Sequence, residues 1–235
     1  MRCMFVTHLL RPFLIFLLVA TVLEFSGIDL WLADLVYHWS GDMWSWRDAW
    51  LTATLIHEGG RTLVAVLVVA LLVAVALSYR VQSLRQYRSG LWYLLVTALV
   101  SGLVVNIGKR VTQVDSPWEL LRYGGTADYV RNFTSHAHTG GVGGCFPAGH
   151  ASAGYGWLGF YYLVRHYWPS WRFHALGAVL LLGLVFGVGQ QLRGAHFISH
   201  DVWTLGLCWL VATALALWWL PQHNDGLPVQ QTTTP

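Results

Sequence analysis

The placement of apolar residues constrains this chain more than any other feature. Six runs, roughly 9–25, 63–79, 91–107, 151–164, 176–188 and 202–220, are apolar almost throughout. A helix needs about 20 residues to cross the hydrocarbon core of a bilayer, with a range of ~17–25. The 151–164 and 176–188 runs are short. They reach spanning length if the polar ends Ser152, His174 and Gln190 are drawn into the helices, which is tolerated where those ends face protein rather than lipid. Only 11% of the residues are charged and 55% are hydrophobic, against about 25% charged in a soluble domain. The expected fold is therefore all-α, a polytopic membrane protein with six transmembrane helices. It forms a single domain over 1–221, followed by a polar, disordered tail at 222–235. The first run follows Arg2 and Arg11 as a secretory signal would. The Glu24-Phe25-Ser26 segment after it is a poor cleavage site, so it reads as a retained helix.

Sidedness follows from the loop charges. Arg2 and Arg11, then Arg80, Arg85 and Arg88, then Arg165 and Arg172 lie in short loops without acids, whereas the intervening loops hold most of the Asp and Glu. By the positive-inside rule the first set is cytoplasmic, and the 26–62, 108–150 and 189–201 loops lie outside. In the 26–62 loop, Trp44, Trp46, Trp50, Leu51, Leu55 and Ile56 recur at near-helical spacing, which predicts an interfacial amphipathic helix. His57-Glu58 reads as its polar end rather than as a metal site. Gly183 and Gly187 on the fifth run predict close helix packing. The formal charge of +3 is small and scattered, which excludes nucleic acid as a partner. Cys3, Cys145 and Cys208 form neither a zinc pattern nor a closed disulfide set, and Cys145 reads as structural.

Two polar segments interrupt this pattern, Cys145-Phe146-Pro147-Ala148-Gly149-His150 and Gly194-Ala195-His196-Phe197-Ile198-Ser199-His200-Asp201. Both fall on the same outer face, each placing a histidine at a helix start. Ionisable groups kept beside membrane spans are usually functional, and free N–H groups at a helix start favour anions. Gly149 permits a tight turn, and Ser199 is a plausible N-cap. Lys109, the only lysine, emerges from the third run, and with Arg193 it supplies positive charge between the two segments. Arg110 reads as a side chain snorkelling to the interface. His136, His138 and Arg131 read as loop residues outside the centre.

These segments resemble the motifs of the type 2 phosphatidic acid phosphatase superfamily, which also includes glucose-6-phosphatase and the vanadium haloperoxidases. The family pattern runs Lys, six residues, Arg-Pro; then Pro-Ser-Gly-His; then Arg, five residues, His, three residues, Asp. Here the first part is Lys109 to Ser116-Pro117, the second is Pro147-Ala148-Gly149-His150, and the third places His196 at the nucleophile. The departures are Ser116 for Arg, Ala148 for Ser, Gln190 for Arg and His200 for Asp. Arg122, Arg193 and Asp201 stand nearby as replacements.

The resemblance implies a metal-independent membrane phosphatase that needs no cofactor and works through a phosphohistidine. In that scheme His196 attacks phosphorus, and His150 is general acid, then base. His200 or Asp201 orients His196. Lys109, Arg193 and the Ala148-Gly149-His150 backbone hold the phosphate, with Arg122 a candidate further ligand. The implied partners are the membrane and a lipid phosphate: undecaprenyl diphosphate, phosphatidylglycerol phosphate, phosphatidic acid or lipid A. The implied location is a bacterial inner membrane, with the site facing the periplasm. Transfer to a second lipid, a non-catalytic lipid-phosphate carrier, a metal or haem protein using the 11 histidines, and a vanadate peroxidase are the competing readings. Loss of both motif histidines abolishes a phosphatase but spares a carrier.

Overall fold

The computed structural model describes residues 4–134 and 141–221. Every long element among them is a helix, as the apolar runs demand: lipid offers no partner to backbone N–H and C=O groups, so the segment must satisfy its own. In chain order they are α1 (Phe5–Ser26), α2 (Ile28–Trp39), α3 (Trp50–Leu77), α4 (Arg88–Thr112), α5 (Gly149–Tyr155), α6 (Gly159–Tyr167), α7 (Arg172–Leu192) and α8 (Ile198–Trp219).

Five of the described helices are long and apolar enough to cross a membrane: α1, α3, α4 with its flanking turns, α7 and α8. The expected sixth differs in kind. A short 3-10 turn at Gly156–Leu158 divides it into α5 and α6. Its Ala151, Tyr155, Leu158, Tyr161, Tyr162, Leu163 and Val164 are buried against the other helices. A segment wrapped in protein does not need the hydropathy of a lipid-facing one, which is why its run is short and rich in Gly and Tyr.

The α5–α7 contact is made backbone to backbone. A Cβ on Gly154 would stand 2.5 Å from Gly183 Cα, and one on Gly183 would stand 2.1 Å from the Tyr155 ring. The other glycine of the expected pair, Gly187, instead makes room for the Asp201 carboxylate, 2.5 Å from where its Cβ would be. Helix α1 closes the bundle against α8, with Phe16 lying on Gly206 and Trp209 Nε1 donating to the His8 carbonyl at 2.7 Å.

The interfacial helix expected around Trp44–Ile56 is not formed as such. Trp44 and Trp46 lie in turns, and Trp50 onward makes the first turns of α3. Nothing between Trp50 and the apolar run stops the helix, and the Phe186 ring packs on Gly60. The amphipathic element of that loop is α2, which buries Asp29 and Ala33 and exposes Trp31, Leu35 and Trp39.

Candidate active site

The C-terminal end of α4, the start of α5, the end of α7 and the start of α8 meet at one end of the bundle. Lys109, in the last turn of α4, runs along Gly149. A Cβ on Gly149 would lie 2.9 Å from Lys109 Cε and 3.2 Å from Nζ. Gly149 does not adopt a left-handed conformation, so the tight turn expected of it is not its role. It is the first residue of α5, and its missing side chain lets the ammonium lie against the start of that helix. Ala148 is fully buried; its N–H donates to the His200 carbonyl at 3.3 Å and its carbonyl accepts from Thr204 Oγ1 at 3.2 Å. Its amide is thus committed within the fold rather than turned to a phosphate.

His150 stacks on His57, ring centroids 3.9 Å apart and planes 17° from parallel. His57 Nδ1 pairs with Gln190 Nε2 at 2.8 Å, and its Nε2 lies 3.4 Å from Glu58 Oε1. His150 Nε2 is buried without a hydrogen-bond partner and feels the positive charges of Arg193, Lys109 and Arg61. His57, read from the sequence as a polar helix end, is the residue that motif spacing missed. It lies far from either motif in the chain, and the only available sign was a His-Glu pair at the head of an apolar span.

His196 is buried between α7 and α8. Its Nδ1 stands 3.4 Å from His200 Nδ1. Burial first, then the neighbouring His200 and Lys109, hold its pKa well below the ordinary 6.5, so the ring is neutral and its lone pair is available. His200 is fully buried, and its Nε2 has no hydrogen-bond partner. Asp201 is buried too, but its carboxylate takes the Gln191 amide and backs onto Gly187. Of the two candidate orienting groups, only His200 reaches the His196 ring.

Helix α7 ends at Leu192, so Arg193 is not carried on a continuing helix face. Its Nε donates to the Arg47 carbonyl at 2.8 Å, and its Nη1 lies 3.4 Å from Gln190 Oε1. Gln190, standing where the family pattern has Arg, thereby joins Arg193 to His57. Trp44 covers Gly194, and Trp118 N–H donates to the Gly194 carbonyl at 2.9 Å, bracing the loop that carries His196.

Two expectations are corrected. Arg122 forms a bidentate pair with Asp34, at 2.7 and 2.6 Å, which occupies its guanidinium. The α8 N-cap is Phe197 rather than Ser199. The cap is supplied from the far end of the chain, with Asp29 Oδ1 accepting the Ser199 N–H at 2.9 Å and Asn132 Nδ2 lying 3.2 Å from Ser199 Oγ. Burial raises Asp29 to a pKa of about 6. Ser116, at the other vacated arginine position, is buried and closes a capping box with Glu119 at the Pro117–Glu119 turn. Cys145 has a structural setting: its Sγ donates to the Ala195 carbonyl, and burial pushes the thiol up to about 11. Arg131 stands over the Phe25 ring. His136, His138, Cys3 and the 222–235 tail lie outside the described residues.

The cluster thus holds two buried histidines at the start of α8, His196 and His200, the half-buried His150 of α5 with His57 stacked on it, one ammonium laid on a glycine and a nearby guanidinium. These are the elements of anion binding and of nucleophilic attack with proton transfer. A family model described as the PAP2 superfamily matches residues 90–224. Neither the curated proteins nor the solved structures yield a match.

Proposed function

Because the chain belongs to the PAP2 superfamily, we propose that it is a phosphatase removing phosphate from lipid phosphates or diphosphates at one end of a membrane-embedded bundle. Membership supports phosphatase-type chemistry on phosphoric esters in general. The lipid substrate is argued from the five membrane-length helices, with α5–α6 completing a sixth crossing inside them. The observation that carries the mechanism is the convergence of Lys109, His150 and His196 from three elements far apart in sequence.

His196 Nε2 attacks phosphorus while its Nδ1–H donates to His200 Nδ1, the tautomer that leaves the attacking lone pair free. The bond from phosphorus to the leaving oxygen breaks, and His150 Nε2–H protonates that oxygen. Water then attacks the phosphohistidine, His150 takes its proton, and phosphate departs with His196 restored. Dividing the hydrolysis this way lowers each barrier. Lys109, the start of α5 and Arg193 stabilise the negative charge spread over the transferred group. His57, held by Gln190, fixes the plane of the His150 ring. The site faces the periplasm of a bacterial inner membrane, because the unbalanced arginines lie at the opposite end.

The test is phosphate release by the detergent-purified chain in EDTA from undecaprenyl diphosphate, phosphatidylglycerol phosphate, phosphatidic acid and lipid A, beside His196→Ala. Release by the native chain and its loss in the variant are expected. Binding of every lipid without release or acid-labile protein phosphate would overturn the phosphatase reading in favour of a carrier.

A further inference from the structure

The opposite end of the bundle carries a second cluster of cations. Arg80, Arg85 and Arg88, with Ser78, Tyr79, Val81 and Gln82, line a cavity of about 310 Å³ where the α3–α4 connection folds back. Arg88 begins α4 and Lys109 lies near its end. At ~1.5 Å per residue the two clusters are roughly 30 Å apart, the thickness of a hydrocarbon core.

Among the described residues, nothing at this end neutralises the three arginines. No acidic residue occurs between Glu58 and Asp115 in the sequence. The acids of the described residues fall at 24–58, 115–128 and 201, all at the histidine end. None of the three arginines makes an ion pair among the described residues. Arg88 is held in place: its Nη2 donates to the Ser78 carbonyl and its guanidinium lies 4.1 Å from the Tyr79 ring centroid. Its Nε is nevertheless buried with no partner. An orphaned buried N–H on a cation is costly unless a ligand completes it. Sidedness alone requires arginines somewhere in this loop; it does not require them to line one cavity or to leave a buried donor open.

The flanking aromatics set the depth. Trp92 Nε1 donates to Tyr79 Oη at 3.1 Å, and Trp219 Nε1 donates to Ser89 Oγ at 3.1 Å. Trp and Tyr gather at headgroup level, and basic pockets between spans at that level suit lipid phosphates. We propose that this cavity is a binding site for the phosphate of an anionic phospholipid headgroup, in the leaflet opposite the histidine cluster. Arg88 engages the phosphate from within and Arg80 and Arg85 from the rim. The site does not depend on the histidine chemistry.

The experiment places the full chain in nanodiscs of phosphatidylcholine with phosphatidylglycerol and counts retained lipid by native mass spectrometry. It compares the native protein, Arg80→Gln/Arg85→Gln, which leaves the Arg88 contacts intact, and Lys109→Met, which alters only the far end. Retention of phosphatidylglycerol over phosphatidylcholine is expected, roughly tenfold weaker in the double variant and unchanged in Lys109→Met. Phosphate release should be the same in the native protein and the double variant, which shows that the double variant is folded. Equal retention of the two lipids, or undiminished phosphatidylglycerol in the double variant, overturns the proposal. Binding of inorganic phosphate or glycerol phosphate as tight as that of the lipid reassigns the cavity to a soluble phosphate and overturns the lipid assignment.

Discussion

The two ends of α4 hold cations in opposite circumstances. Lys109 is hemmed in by histidines, a glycine and the start of another helix, whereas Arg80, Arg85 and Arg88 share a cavity that no acid of the described residues neutralises. On the proposed reading, the difference is between a charge used in a reaction and a charge used in an equilibrium. A catalytic ammonium must be fixed where negative charge develops, so the fold surrounds Lys109. A binding cavity gains its energy by taking up a counter-charge, so there the fold leaves one donor open.

Substitutions can break that contrast. His196→Gln should lower phosphate release on the order of 10³-fold or more without changing lipid retention at the arginine end. The same variant reports on burial. The folded ring resists protonation below 6.5, while the unfolded chain takes up that proton near the ordinary value. His196 therefore makes the native protein lose stability as pH falls below about 6.5, and a melting-temperature series against pH should flatten over that range in His196→Gln. An unchanged slope would show that the ring is not shielded. Lys109→Met comes next, with a loss of roughly 10²–10³-fold in kcat. A loss no greater than that of Arg80→Gln would erase the distinction between the two ends.

A smaller effect separates contact from hydrogen bonding at His57. His57→Phe keeps a flat ring against His150, whereas His57→Ala removes it. If stacking positions His150, Ala should cost about tenfold in kcat and Phe less than about threefold; equal losses would assign the role to the Gln190 bond. Smallest is Arg122→Ala, expected to leave kcat unchanged and to cost no more than about 1 kcal/mol in stability, because its pair with Asp34 is part-exposed. A large drop in kcat would return Arg122 to the phosphate.

The sequence made some of this legible and hid the rest for physical reasons. The helices were readable because lipid imposes length and apolarity, and α5–α6 was the least readable because protein, not lipid, surrounds it. The three-part motif brought Lys109, His150 and His196 into view because each lies in a local pattern. His57 and Asp29 were not legible, since each acts on a residue far away in sequence and neither pairing leaves a period or a spacing. The Ser116 and Gln190 departures were visible as absences. Only the fold gives them content: one caps a turn, and the other links Arg193 to the ring behind His150.

Asp29 has a consequence for how the protein comes into being. The carboxylate that caps α8 lies on α2, outside the matched region, and is made well before α8. His196 and His200 straddle that cap. During synthesis, the centre can assume its working geometry only after α8 has inserted and docked against α2. A chain halted before that point displays the motifs and lacks the enzyme, so phosphate release is itself a readout of completed assembly.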